Sequence, residues 1–151
     1  MNHKTNYRNL LIMIVLSFIS MYILMYAMVN VMGNVYNSWN QVYMAALMTA
    51  PMVVIELLVM GAMYPDKRRN ALIISAAVIA GLVFFAFIRQ QTLISDKQFL
   101  RSMIPHHAGA ILMCEQASLT DPEIQQLCQA IISSQQVEID QMRSLLAELE
   151  N

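Results

Sequence analysis

Three long apolar runs separated by short polar breaks come first along this chain, and two amphipathic stretches follow them. Leu10 to Met32 is interrupted only by Ser17, Ser20 and Asn30, and Gln41 to Met63 only by Gln41, Thr49 and Glu56. Ala71 to Ile88 holds no charge. Each run is close to the roughly 20 residues a helix needs to cross a hydrocarbon core. The pattern therefore predicts three transmembrane helices, at 10–32, 41–63 and 71–90, in a membrane domain of residues 1–94. The first run is too long for a signal-peptide core, and no small-x-small site follows it, so it reads as retained.

From Ser95 the pattern changes to helical amphipathicity. Ser95 with Gln98 has capping-box spacing, although the third span could instead run on without a break. Pro105 predicts a kink, because it removes one backbone donor and crowds the preceding turn. The helix should end near Ala117 or Ser118. Pro122 suits the first turn of the next helix, with Thr120 and Glu123, or Asp121, as its cap. That helix should run to about Leu149, with a seam of Ile124, Leu127, Cys128, Ile131, Gln135, Glu138, Met142, Leu145 and Leu149. The fold class is thus all-α: three membrane helices, then an antiparallel helical hairpin over 95–151.

Charge orients this arrangement. Apolar residues make up 58% of the chain and charged ones only 13%, and the two signs are segregated. Lys4, Arg8, Lys67, Arg68, Arg69 and Arg89 stand against Glu56 and Asp66 in the first part, whereas the hairpin is mainly acidic. Basic residues collect on the cytoplasmic side of inner membranes, so the N-terminus and the second loop should be cytoplasmic. The uncharged first loop and the hairpin should then lie outside, periplasmic or extracellular, with Tyr36, Trp39 and Tyr43 as an outer aromatic belt. The implied partner is membrane lipid. An acidic hairpin disfavours nucleic acid.

Candidate chemistry concentrates in Met103 to Cys114, which carries two thioethers, two imidazoles and a thiol. At 100° per residue Met103, His107 and Cys114 fall in one sector, and His106 with Met113 in a second. Soft sulfur with imidazole suits Cu(I) and tolerates Zn(II). A hairpin turning near Leu119 and Thr120 places His106 and His107 opposite Ser134 and Gln135, and Met103 at the level of Val137 and Glu138. The polar interruptions of one helix then meet the histidines of the other. A second reading makes the same cluster a polar core lock that satisfies buried groups. Cys114 and Cys128 sit at matching levels; in an oxidising compartment they form a disulfide or stay as two small buried hydrophobes.

Methionine also marks the membrane part. The first two spans carry Met21, Met25, Met28, Met48 and Met52 among others, and the third span has none. Met21, Met25, Met28 and Met32 would share one helical face. Such stripes, with Glu56 inside the bilayer, could relay a soft ion; otherwise Met is packing material, and Glu56 bonds Ser17, Ser20, Thr49 or Tyr22.

Phe99, Met103-Ile104-x-His106-His107-x-x-Ala110-Ile111-x-Met113 and Gln135-x-x-Glu138-Ile139-x-x-Met142 together resemble the signature of the domain of unknown function 305 family. The resemblance covers about residues 95–149 and implies a ferritin-like helical bundle in an exported or membrane-anchored protein. It points to Met103, His106, His107, Met113, Glu138 and Met142 as the functional set, and to copper, which one member of the family binds. Pro105 before the paired histidines and the added thiol of Cys114 are features of this chain. Enzymatic signatures are missing: no Glu is followed by His three residues on, and there is no H-E-x-x-H, phosphate loop or G-x-S-x-G.

The sequence thus reads as a non-enzymatic, membrane-anchored extracytoplasmic binder of copper or a similar soft metal, serving metal homeostasis or resistance. A structural or assembly module and a soft-metal transport component are the alternatives. Ile132, Ile139, Leu146 and the patch Ala108–Ala110 would need cover, so a homodimer completing a four-helix bundle is expected.

Overall fold

The computed structural model describes residues 3–150; the side chains of His3 and Lys4 lie outside the described part, and with them half of the N-terminal basic pair. Among the described residues the chain is helical and holds no strand. The helices are α1 (His3–Leu24), α2 (Trp39–Val59), α3 (Lys67–Gln90), α4 (Asp96–Gln116) and α5 (Pro122–Glu150). They divide into two compact units, which are described separately. One holds α1, α2 from Asn40 and α3 through Thr92; the other holds Met25–Trp39 and the chain from Leu93 onward.

Three segments are long and apolar enough to cross a membrane: Thr5–Met28, Trp39–Val59 and Lys67–Gln90. In the first unit Leu10, Val53, Leu57 and Tyr64 form the buried cluster. A Cβ on Gly81 would sit 3.4 Å from Ala50 Cβ, so small residues let α2 and α3 approach closely. Asp66 starts α3 by accepting the Arg69 backbone N–H at 3.0 Å, as an N-cap should. The linker before it is held by the Tyr7 hydroxyl, which donates to Asn70 Oδ1 at 2.7 Å, and by the Asn70 amide, which donates to the Tyr64 carbonyl at 2.8 Å. Tyr43, placed in an outer belt by the sequence, is instead buried: it donates to the Thr92 carbonyl at 3.1 Å and meets Phe87 edge-on at 5.4 Å. Neither Pro51 nor Pro105 ends its helix; α2 and α4 continue through them.

The first apolar run does not stay one helix. α1 stops at Leu24, a 3₁₀ turn covers Met25–Met28, and a second one covers Met32–Asn34. Side-chain amides explain the break, because they compete for the backbone. Asn30 Oδ1 accepts the Val31 N–H at 2.9 Å and the Asn34 amide at 2.8 Å, and the Tyr26 hydroxyl closes the loop on the Tyr36 carbonyl at 2.8 Å. Met21, Met25, Met28 and Met32 therefore do not form one helical face.

This strap, Met25–Trp39, packs on the hairpin of α4 and α5. Its Val29 and Tyr36 lie against the cluster of Leu100, Ile104, Ala108, Ile111, Ile139, Met142 and Leu146. Arg143 of α5 donates to the Gly33 carbonyl at 3.0 Å and to buried Asn34 Oδ1 at 2.7 Å. Gly109 comes so close to the strap that a Cβ there would meet the Met28 carbonyl at 3.5 Å. Ala108, Ile139 and Leu146, expected to await a second copy, are thus covered within the chain. Ile139 alone removes about 1.5–3 kcal/mol of apolar side chain from water.

Between α3 and α4 the helix breaks: Gln91 and Leu93 adopt left-handed φ values of 51° and 61°. Ser95 is the N-cap of α4 without a side-chain bond, and Gln98 instead accepts the Trp39 backbone N–H at 2.9 Å. The capping-box expectation fails because the strap takes Gln98. Asp121 caps α5, its Oδ1 accepting the N–H groups of Glu123 and Ile124 at 2.9 and 3.1 Å.

Candidate metal site

α4 turns a stripe of Leu100, Ile104, His107, Ala108 and Ile111 toward α5, and His107 is the one imidazole in it. The residue is 7% exposed. Its Nδ1–H donates to the Met103 carbonyl one turn back, at 3.0 Å. Its Nε2 lies 2.7 Å from Glu138 Oε2 on α5. A carbonyl can only accept, so Nδ1 carries a proton, and the contact to the carboxylate requires a second proton between Nε2 and Glu138; together the two bonds hold the ring with Nε2 toward α5. The Glu138 side chain is 52% exposed, so the pair stands where the apolar seam meets solvent.

This contact also sets the register of the hairpin. Stepping one turn from His107 and Glu138 toward the open end of the antiparallel pair brings Met103 level with Met142. Both belong to the same apolar packing, Met142 within the buried cluster and Met103 against it. Four of the six residues singled out from the sequence thus occupy two successive rungs. His106 and Met113 do not join them. They are exposed, Met113 at 53%, and share the neighbouring face seven residues apart. The His106 and His107 rings lie 5.9 Å apart at 62°. Among the described residues no three His, Cys, Asp or Glu side chains converge, so the nitrogen and oxygen groups here end at the His107–Glu138 pair.

The sequence register was off by about one turn. The connection runs from Ala117 to Asp121, and α5 begins only at Pro122, so the pivot lies later than Leu119 and Thr120. At the tip Cys114 and Cys128 are disulfide-bonded, with Cα atoms 5.3 Å apart. At the open end Glu150 Oε1 receives Arg101 at 2.7 Å and lies 3.2 Å from Lys97 Nζ. Hydrogen bonds from Arg101 first, and Lys97 second, hold the Glu150 carboxyl below the usual carboxylate range.

The methionines of the suggested membrane relay are divided between the two units. Met25 and Met28 belong to the strap unit. Met48 lines a groove against α3, whereas Met21 and Met52 line another between α1 and α2. Glu56 accepts from the Tyr64 hydroxyl at 3.1 Å rather than from Ser17, Ser20, Thr49 or Tyr22. Sequence reasoning also passed over Asn34 and Arg143. The density of Asn30, Gly33, Asn34, Asn37 and Ser38 in one short stretch was the available signal that the first span ends early.

The profile of a domain of unknown function, DUF305, matches residues 85–146, which contain α4, the whole His/Met motif and α5 as far as Leu146. An uncharacterized protein of Acanthamoeba polyphaga mimivirus, L153, is 40% identical over 111 residues, covering 72% of this chain and 71% of that protein. The chain belongs to the DUF305 family. The similarity to L153 is longer than the DUF305 match and so extends beyond the hairpin. No solved structure matches the chain.

Proposed function

We propose that this DUF305 hairpin binds a soft metal ion, Cu(I) foremost, in a protein anchored in the inner membrane with its hairpin outside. The observation that carries this reading is the pair of rungs: His107, oriented by the Met103 carbonyl, beside Glu138, with Met103 and Met142 one turn along their helices in the same packing. In this reading His107 Nε2 and the two sulfurs are the ligands. Thioether and neutral imidazole suit Cu(I), and hard ions have little use for sulfur. Glu138, half in solvent, swings aside and then holds the neighbouring shell. His106 and Met113 on the exposed face receive the ion first. The role is metal homeostasis or resistance, without catalysis.

A homodimer completing a four-helix bundle stays in the proposal. It rests now on Phe99, Leu127, Leu145 and Leu149, which remain exposed, and a monodisperse monomer in mild detergent would remove it. The direct His107–Glu138 bond favours one second reading, a polar lock that only holds α4 to α5.

Copper competition on the full-length protein in detergent, under reducing conditions, separates the two readings. The metal reading expects His107→Ala to weaken Cu(I) binding by about 100-fold or more, the scale set by losses of far less direct partners. It expects Glu138→Ala to keep binding while lowering stability by about 1–2 kcal/mol, since a buried ring nitrogen loses its partner. No copper uptake by the parent, or equal uptake by His107→Ala, leaves the lock.

A further inference from the structure

We infer that the groove between α1 and α2 is a second site for a soft monovalent cation, ligated by the thioethers of Met13, Met21 and Met52. It stands apart from the hairpin and does not depend on metal binding there. The groove has a volume of about 490 Å³, and its walls carry these three methionines with Asn9, Ser17 and Ser20. α1 supplies two sulfurs and α2 the third, so an ion held by all three would bridge the helices. Met48, one turn before Met52, opens on the α3 side of α2 and is not part of it.

The sulfurs are partly organised and largely free. The Ser17 hydroxyl donates to Met13 Sδ at 3.4 Å. The Thr49 hydroxyl donates to the Ala45 carbonyl at 2.8 Å and lies 3.6 Å from Met21 Sδ. A thioether is a weak acceptor with two lone pairs, so each sulfur keeps at least one for a ligand. Flexible Met side chains can close on an ion smaller than the groove.

Charge decides which ion. No carboxylate lines the groove, because Glu56 lies elsewhere, bonded to Tyr64. A cation there keeps its full charge among apolar helices, and the cost of burying charge grows with its square, which excludes divalent ions. Thioethers need no deprotonation, so binding should not change between about pH 5 and 8, unlike binding at an imidazole.

The test uses the full-length protein in lipid nanodiscs, carrying Met103→Leu, His106→Ala, His107→Ala, Met113→Leu and Met142→Leu so that the hairpin is not read, with Ag(I) as a redox-stable probe. Methionine oxidation by peroxide is followed residue by residue by mass spectrometry. A single equivalent of Ag(I) is expected to slow oxidation of Met13, Met21 and Met52 about tenfold, as a site about nine-tenths occupied would, while Met48 and Met60 are unaffected. The double variant Met21→Leu, Met52→Leu is expected to lose the bound Ag(I) at unchanged helicity. Absent protection overturns the inference, as does protection spread equally over all span methionines, the mark of lipid cover. Ag(I) uptake retained by the double variant overturns it as well.

Discussion

His107 sits in a stripe otherwise made of Leu, Ile and Ala, and a bond at each ring nitrogen holds its ring in one orientation. Burial makes each of its bonds worth more than on the surface, and makes a missing partner costly. That a histidine would meet Glu138 was legible, because two polar residues interrupted two apolar seams at similar heights. Which histidine, and at which level, was not. Adjacent residues differ by 100°, and a turn of a few residues shifts the register by a whole rung.

Glu150 offers a residue-scale test of the open end. Its folded carboxyl is held low by Arg101 and then Lys97, so the unfolded chain binds the proton more readily. Stability from this contact is therefore present above the unfolded value and lost as pH falls through the folded one. The carboxylate lies at the surface, so the effect is local. Amide exchange corrected for its intrinsic rate should show the last turn of α5 losing protection as the carboxyl protonates. Arg101→Ala should remove most of that pH dependence; an unchanged profile would mean that the ion pair does not form.

At the scale of elements, the five helices and the Asp121 cap were readable from apolar periodicity, Pro122 and turn chemistry. The strap was not. Its apolar letters continued the first span, and only its amides and Gly33 spoke against a helix. The decisive contacts, Arg143 with Gly33 and Asn34, link residues 110 and 109 positions apart, beyond any local pattern. The disulfide belongs here too. Cys114 and Cys128, 14 residues apart, close the tip of the hairpin. Cross-linking a loop of about that length limits the unfolded chain by about 3 kcal/mol. Reducing the protein should therefore lower the melting temperature by several degrees while leaving helicity intact at room temperature. Identical melts with and without reductant would show the bond to be absent in solution.

For the whole molecule, three apolar helices and an acidic hairpin fit a protein anchored in a membrane with its chemistry on one side. The proposed orientation, with the hairpin outside, rests on Arg8 and Lys67 to Arg69 against an uncharged first loop. A reporter active only in the cytoplasm should be silent when fused after Asn151, and activity there would place both the hairpin and its disulfide on the wrong side. The central claim, however, is chemical: that Met103, His107 and Met142 act together on one soft ion. X-ray absorption of the full-length protein loaded with a single equivalent of Cu(I) reads this directly. The account expects sulfur and imidazole nitrogen together in the first shell, with the imidazole signature lost in His107→Ala and sulfur reduced in Met103→Leu, Met142→Leu. A shell of nitrogen and oxygen alone, or spectra indifferent to these substitutions, would contradict it.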